Sequence, residues 1–349
     1  MGHTGKAGRR FMEKIVYRSL GFRSPRLKVG PGKGFDNSVV SLGGGRVMVI
    51  TVDPVSAIPA FGMKLSAWLS VHLIASDYTT SGNDPEFATF AFNFPPAMST
   101  SDREDYVRAI GRECRRLKIA VAGGHTGSYP GGGFTVIGAG SMFGFSKDGK
   151  YVTPAMPRVG DSILMTKHSA IEATASLALF FPKHVDWMVG RRLGDHARRT
   201  ISLCTTVEDA RAVRKIGLGI DGITSMHDVT EGGVLGALDE MATACGKSLV
   251  IETDKIPVSE EARAVCAAFG IDPLASMGEG ALLVTCKQER VAELTHTMNR
   301  SSIPIEKIGQ VKRGKGLVLM KGGSSMSKFK PTRDRYWSAY DRSLALGLN

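Results

Sequence analysis

Apolar positions recur along this chain with two alternating spacings, every second residue in some stretches and every third or fourth in others. That pattern predicts strands and helices in turn. Residues 46–52 (RVMVITV) form a β-rich run that is expected to stop at Asp53-Pro54. Over 61–76, Leu65, Leu69 and Leu73 recur at i, i+4 spacing and predict an amphipathic helix. A strand follows at Phe87–Phe94, then a helix over 101–117 capped by Ser101, with Glu104 completing a capping box. Residues 119–122 predict a short buried strand, separated by a Gly-rich loop from a longer one at 134–145. The stretch 147–160 contains Pro154 and Pro157 and breaks the pattern, so a domain boundary is expected there. Beyond it a strand (161–166), a helix (172–180) and further alternation continue to about residue 320, and the chain from Lys321 onward reads as loosely attached. The order is not strictly parallel β-α-β. It predicts two α+β domains, 1–150 and 151–325, with a tail at 326–349.

Composition agrees with two folded domains: 349 residues, 42% hydrophobic and 22% charged. No apolar run approaches the length of a membrane span. The basic, Gly-rich first ten residues lead into Phe11-Met12-Glu13-Lys14 without the apolar core of a secretion signal, so a cytoplasmic location is expected. Cys114, Cys204, Cys245, Cys266 and Cys286 stand singly, which argues against a disulfide framework or a structural zinc site. The net charge of +12 favours anionic partners, from nucleotides to nucleic acid. The arginine clusters (Arg191, Arg192, Arg198 and Arg199; Arg112, Arg115 and Arg116) are not interleaved with aromatics, so solvated helix faces are expected rather than a nucleic-acid surface.

Four segments carry candidate chemistry. In Gly30-Pro-Gly-Lys-Gly-Phe-Asp36-Asn37, small residues let backbone N–H groups approach an anion and Lys33 adds a positive charge. It is not a Walker A sequence, and an ordinary loop is the simpler reading of this segment alone. Asp53 stands where a hydrophobic run stops, a good place for a ligand and a common place for a turn. In His227-Asp228-Val-Thr230-Glu231-Gly232-Gly233 a loop is expected to enter a helix, with Thr230 near the N-cap and both glycines in the first turn. Each glycine there costs about 1 kcal/mol of helix propensity. A phosphate on the exposed N–H groups would compensate for that cost. The Gly-rich stretch 122–133, with Gly123, Gly124, His125 and Thr126, reads as a mobile loop near substrate or as a long turn.

Taken in order, GPGKGFDN, ITVDP, ASDYTTSG, AGGHTG, DSILMTK and HDVTEGG resemble the superfamily of aminoimidazole ribonucleotide synthetase. That superfamily also holds selenophosphate synthetase, thiamine-monophosphate kinase and the hydrogenase maturation factor HypE. The likeness spans residues 30 to about 320 and is strongest to the HypE-related branch, through VDP, GGHT, TKHSAIEATA and HDVTEGG. The resemblance implies a two-domain PurM-like α+β fold, dimerising through strands of the N-terminal domains. It implies ATP near that interface, its phosphates held through Mg²⁺ by Asp36, Asp53, Asp77 and Asp228. Gly30, Gly32, Lys33 and Gly34 would line the cleft together with Gly123, Gly124, His125 and Thr126, while Thr230, Gly232 and Gly233 would meet phosphate. Lys33 would contact phosphate, and His125 would serve as a substrate or acid–base residue.

Departures from the family pattern bear on the reaction. Relatives often carry a second acid where Asn37 stands, and several carry an acid at the position of His125. The chain ends Leu344-Ala345-Leu346-Gly347-Leu348-Asn349, so the C-terminal cysteine chemistry of the usual hydrogenase-maturation enzyme is not expected. No cysteine lies near the 30–36 loop, which weakens a selenophosphate-synthetase role. The leading expectation is a Mg²⁺-dependent enzyme that uses ATP to activate an oxygen of a small molecule by phosphorylation. A small-molecule kinase like thiamine-monophosphate kinase is the runner-up. A low-turnover ATP-binding maturation factor, acting on a partner protein, is the reading from a different class.

Overall fold

The computed structural model describes residues 4–328 and 333–348; residues 1–3, 329–332 and 349, the last five within the expected tail, lie outside the described residues. The N-terminal half contributes β1 (Leu27–Val29), β2 (Ser38–Gly43), β3 (Arg46–Ser56), β4 (Phe87–Phe94), β5 (Ala120–Ser128) and β6 (Val136–Lys147), with helices α1 (Arg9–Lys14), α2 (Met63–Thr79) and α3 (Thr100–Leu117). The strands form one sheet in the order β1-β2-β3-β6-β4-β5, antiparallel except for the β4–β5 pair. Helices α2 and α3 cover one face, packing Ile74, Tyr78, Tyr106 and Ile110 against Val49, Phe90 and Met142.

The second half holds β7 (Ser162–Thr166), β8 (Ile223–Asp228), β9 (Ser248–Glu252), β10 (Leu282–Cys286), β11 (Ile305–Lys312), β12 (Gly316–Lys321) and β13 (Ser324–Lys328). Their order is β13-β12-β9-β11-β7-β10-β8. The helices are α4 (Ile171–Phe180), α5 (Pro182–Val189), α6 (Arg191–Arg199), α7 (Val207–Val213), α8 (Gly233–Cys245), α9 (Glu260–Phe269), α10 (Val291–Arg300) and α11 (Tyr336–Ala345). Strands β7, β8 and β10 are buried at every position because helices lie on both faces. Ile163 and Met165 point to α4 and α8, and Leu164 points to α7 and α10. Both halves mix helices with largely antiparallel sheets, as the α+β reading expected.

Several boundaries differ from the sequence expectation, each for a physical reason. Strand β3 does not stop at Asp53-Pro54 but runs on to Ser56. Its pairing with β2 ends at Ile50, so Pro54 faces an edge where its missing N–H breaks no ladder bond. The cap of α3 is Ser99, whose Oγ accepts from Asp102 N at 3.1 Å; Ser101 lies inside the helix. The expected loop at 122–133 is, as far as Ser128, the edge strand β5, almost fully exposed. Only Ile119 of the expected buried strand 119–122 is buried. Gly124 fits there because a Cβ would meet Phe90 O at 2.1 Å.

The described end of the chain is not loosely attached. Helix α11 presses Tyr336 and Ala339 into a cluster with Phe181 and Phe269, with the Tyr340 ring edge-on to Phe180, centroids 4.8 Å apart.

Candidate functional site

The acids come together where the two halves meet. The 30–37 loop brings Asp36, β3 brings Asp53, the last turn of α2 brings Asp77, and the end of β8 brings His227 and Asp228. Thr51 ties the first three, donating to Asp36 O at 2.9 Å and lying 3.5 Å from Asp77 Oδ2. Asn37 holds the end of α2: its Nδ2 donates to Asp77 O at 2.7 Å and to Thr80 Oγ1 at 2.8 Å.

His227 is the hinge of the cluster. Its Nδ1 donates to Asp36 Oδ2 at 2.8 Å and its Nε2 to Glu240 Oε2 at 3.3 Å. Burial works against its charge, but Asp36 and Glu240 overcome burial and raise the imidazole to about 10. The ring is therefore an imidazolium, with both nitrogens occupied by carboxylates. Burial likewise works to raise Glu240, yet its bond to His227 and the nearby Lys6 bring it down to about 2.

Asp228 is fully buried, and neither carboxylate oxygen has a hydrogen-bond partner. Burial first, and the neighbouring Asp36 second, push it up to about 7. Burial and the facing Asp228, Asp53 and Asp36 hold Asp77 well above the usual carboxylate range. Burial lifts Asp53 to about 6. Asp36, His227 and Asp228 can each direct one ligand atom to a common point, these atoms lying within 4.8 Å of one another.

Orphaned buried oxygens cost several kcal/mol unless a cation meets them. A purely oxygen donor set is the kind that Mg²⁺ selects, whereas nitrogen ligands suit softer metals. The carboxylates therefore fit Mg²⁺, and His227, with both nitrogens engaged, fits a role in aiming Asp36.

A cavity of about 500 Å³ opens beside the cluster, lined by Lys6, Tyr17, Gly32, Gly34, Asp36 and Glu240 among others. That is the size of small-molecule sites. Gly34 (φ +78°) permits the loop to lie against α8, since a Cβ would meet the Glu240 backbone at 2.9 Å. Gly30 and Gly32 belong to the same loop, their nearest neighbours being Leu27 and Phe35. Lys33 stands at the cavity wall, where its ammonium pairs with Asp239 of α8.

The glycines of the β8–α8 connection have internal uses. Gly232, not Thr230, is the N-cap of α8, and its N–H donates to Asp334 Oδ2 at 2.9 Å. At Gly233 (φ +63°) a Cβ would lie 2.7 Å from Leu274 O. The helix-propensity cost is thus offset by a close approach of backbone, with the tail's carboxylate at one N–H. Thr230 Oγ1 accepts from Lys6 Nζ at 2.7 Å.

Gly123, Gly124, His125 and Thr126 are not brought to this cluster within one chain. They lie on β5, three strands from β3, or about 14 Å at the usual strand spacing. His125 is exposed and pairs its Nε2 with Tyr129 Oη at 2.6 Å.

Glu240, Glu279, Glu172 and Lys6 face the same region and went unassigned from sequence. Burial, together with Asp228, Glu172 and Asp53, holds Glu279 well above the ordinary range. Burial and the nearby Asp334 push Glu172 to about 8. Glu279 did carry a signal: an acid between two glycines at the mouth of the apolar strand β10.

Comparison with known proteins fits this geometry. Residues 34–145 match the AIR synthase related protein N-terminal domain, and 158–322 match its C-terminal domain. A putative hydrogenase expression/formation protein of Methanocaldococcus jannaschii is 24% identical over 82% of each chain. The carbamoyl dehydratase HypE of Cupriavidus necator is 23% identical over 92% of this chain and 88% of its own length. The crystal structure of hydrogenase maturation protein HypE in complex with ATP superposes with a TM-score of 0.64 at 19% identity, covering 96% of this chain and 98% of that one. No described helix is long and apolar enough to cross a membrane. The chain belongs to the AIR synthase related family of ATP-dependent enzymes, on the branch that holds the hydrogenase expression and formation proteins.

Proposed function

We propose that the cleft binds ATP through Mg²⁺ held by Asp36, Asp53, Asp77 and Asp228, and phosphorylates an oxygen of a small acceptor. The supporting observation is Asp228, whose two buried oxygens have no partner and stand beside two further acids. The metal would neutralise these acids and the triphosphate together. The protein's own groups supply the rest. His227 fixes Asp36 between the two halves, and the 30–34 loop with Tyr17 shapes the cavity beside it. Burial holds the carboxyls of Glu279 and Glu172 above their ordinary range, which favours their protonated, proton-donating form beside the acid cluster.

A carbamoyl-like amide oxygen suits that donor set, in keeping with the carbamoyl dehydratase named among the relatives. Such an oxygen would leave with the transferred phosphate. Phosphorus NMR on the protein with Mg²⁺, ATP and a candidate acceptor checks the reading. Acceptor-dependent free phosphate is expected, whereas a stable phosphoester would mean a kinase and no turnover with any acceptor a binding factor.

The partner for the N-terminal sheet is a second copy of the chain. Its uncovered face presents Val52 and Val136, each more than half exposed, and the sheet ends in the unpaired edge β5. Dimerisation there would bring His125 and Gly123–Thr126 to another protomer's surface. Val136→Arg should convert a dimer to a monomer in light scattering, and a persistent dimer would place the interface elsewhere.

A further inference from the structure

The two ends of the chain meet beside the acid cluster. Residues 4–8 run across the mouth of the cleft, where the Lys6 ammonium donates to Thr230 Oγ1 at 2.7 Å and the Lys6 backbone N–H to Glu231 Oε2 at 2.8 Å. Glu231 Oε2 also accepts from Trp337 Nε1 at 3.2 Å, so one carboxylate joins the N-terminal strap to helix α11. Two further contacts support the junction. Arg333 donates to the Thr4 carbonyl, and Gly5 lies so close to Trp337 that a Cβ would meet its indole nitrogen at 2.6 Å. Helix α11 is itself anchored: Asp334 accepts from Gly232 N and Tyr336 N, and Tyr336 is buried among apolar side chains.

This arrangement costs more than a solvated terminus would. A lysine and an indole are both fixed, and rotamer freedom is lost on each. The fixed ammonium borders the same cavity as Asp36 and Glu240, within electrostatic reach of Glu279, Asp228 and Asp77. Four acids beside a metal and a triphosphate leave phosphate oxygens on the solvent side without a protein cation. Lys33 is not free for that task, being paired with Asp239. A lysine held at the cleft mouth, its ammonium bound among the described residues only to the Thr230 hydroxyl, meets the requirement as a compact point charge.

We propose that Lys6 is a phosphate-binding residue of the nucleotide site, presented by the N-terminal strap, and that Glu231 and Trp337 are positioning residues that hold the strap in place. Lys6 exchanges Thr230 for a phosphate oxygen when nucleotide enters, while its backbone stays on Glu231. This inference rests on the nucleotide reading above, and the test separates the two.

Calorimetry on the full chain with Mg²⁺ measures a non-hydrolysable ATP analogue and adenosine side by side. If the unaltered protein does not bind the analogue, the nucleotide reading fails and this one falls with it. If it binds, Lys6→Met should weaken the analogue by about 10- to 100-fold and leave adenosine unchanged, with Lys6→Arg restoring most of the loss. Equal losses for both ligands, or none for the analogue, would overturn the role of Lys6 alone. Trp337→Phe keeps an aromatic ring against Tyr336 and Tyr340 and removes the indole N–H together with part of the ring's contact area. It should weaken the analogue by about two- to fivefold in the natural background and not at all in Lys6→Met. The same loss in both backgrounds would overturn the positioning role.

Discussion

Two segments of this chain look alike as text. Gly123-Gly124-His125-Thr126 and His227-Asp228-Val229-Thr230-Glu231-Gly232-Gly233 each place a histidine, a threonine and paired glycines beside an apolar run. Folding puts them in opposite environments. The first is an exposed edge strand where Gly124 clears the Phe90 backbone and Gly123 meets nothing. The second ends a strand buried on both faces, where a histidine is charged because two carboxylates hold it and an aspartate has no partner. Glycine pairs and a histidine therefore do not mark a site by themselves. The number of elements converging on the segment decides, and β8 receives α2, α8 and the 30–37 loop, whereas β5 receives only β4 and α3.

The largest contrast should appear in stability. Gly233→Ala adds a Cβ 2.7 Å from the Leu274 carbonyl at a positive φ, and should cost about 3–4 kcal/mol in denaturant unfolding. Gly123→Ala meets nothing within 4 Å and should change stability by less than about 0.5 kcal/mol. Comparable losses at the two positions would erase the distinction between the segments.

A smaller effect should depend on pH. His227 titrates near 6.5 in an unfolded chain and at about 10 in the fold, so the fold holds its proton more tightly. Its stabilising contribution is complete below about pH 6.5, declines as pH rises, and is lost above about pH 10. Unfolding of the natural protein and of His227→Gln should differ by about 2–3 kcal/mol at pH 6 and converge towards pH 10. A difference independent of pH would mean that the imidazole is neutral.

The smallest effect is expected at β5. His125→Ala should change the affinity for Mg²⁺ and an ATP analogue by less than about twofold, because His125 lies three strands from Asp53 in its own chain. A tenfold loss would instead mean that a second protomer delivers His125 to the site.

The degree to which the sequence announced all this follows from how local each signal is. Strand β4 was readable because its apolar period is complete within the element, and β7 as a continuous apolar run. Helix α2 forms where expected but is not amphipathic, since it packs one side into the N-terminal core and the other into the second half. Helix α11 was readable in principle, since Tyr336, Ala339, Tyr340 and Ser343 repeat at helical spacing, but charged neighbours obscured it. The N-cap of α3 was missed by two residues because Ser99 and Ser101 both precede a suitable acid. The joining of Asp36 to His227 spans 191 residues and leaves no periodic trace. Ordered motifs joined Asp36 to Asp228 through family resemblance, while the tie to His227, and Glu240, Glu279 and Lys6, became visible only when the chain folded. For Pro54, the sequence shows the proline but not that β2 ends early enough to leave its side of β3 unpaired.

The most direct measurement is calorimetric binding of a non-hydrolysable ATP analogue to the natural protein and to Asp228→Asn, with and without Mg²⁺, paired with a thermal melt of each. Assignment of Asp228 to the metal predicts Mg²⁺-dependent binding that weakens by about 100-fold or more in Asp228→Asn. Its melting temperature should stay unchanged or rise, because a buried charge without a partner has been removed. Equal, Mg²⁺-independent affinity in both proteins would contradict the assignment.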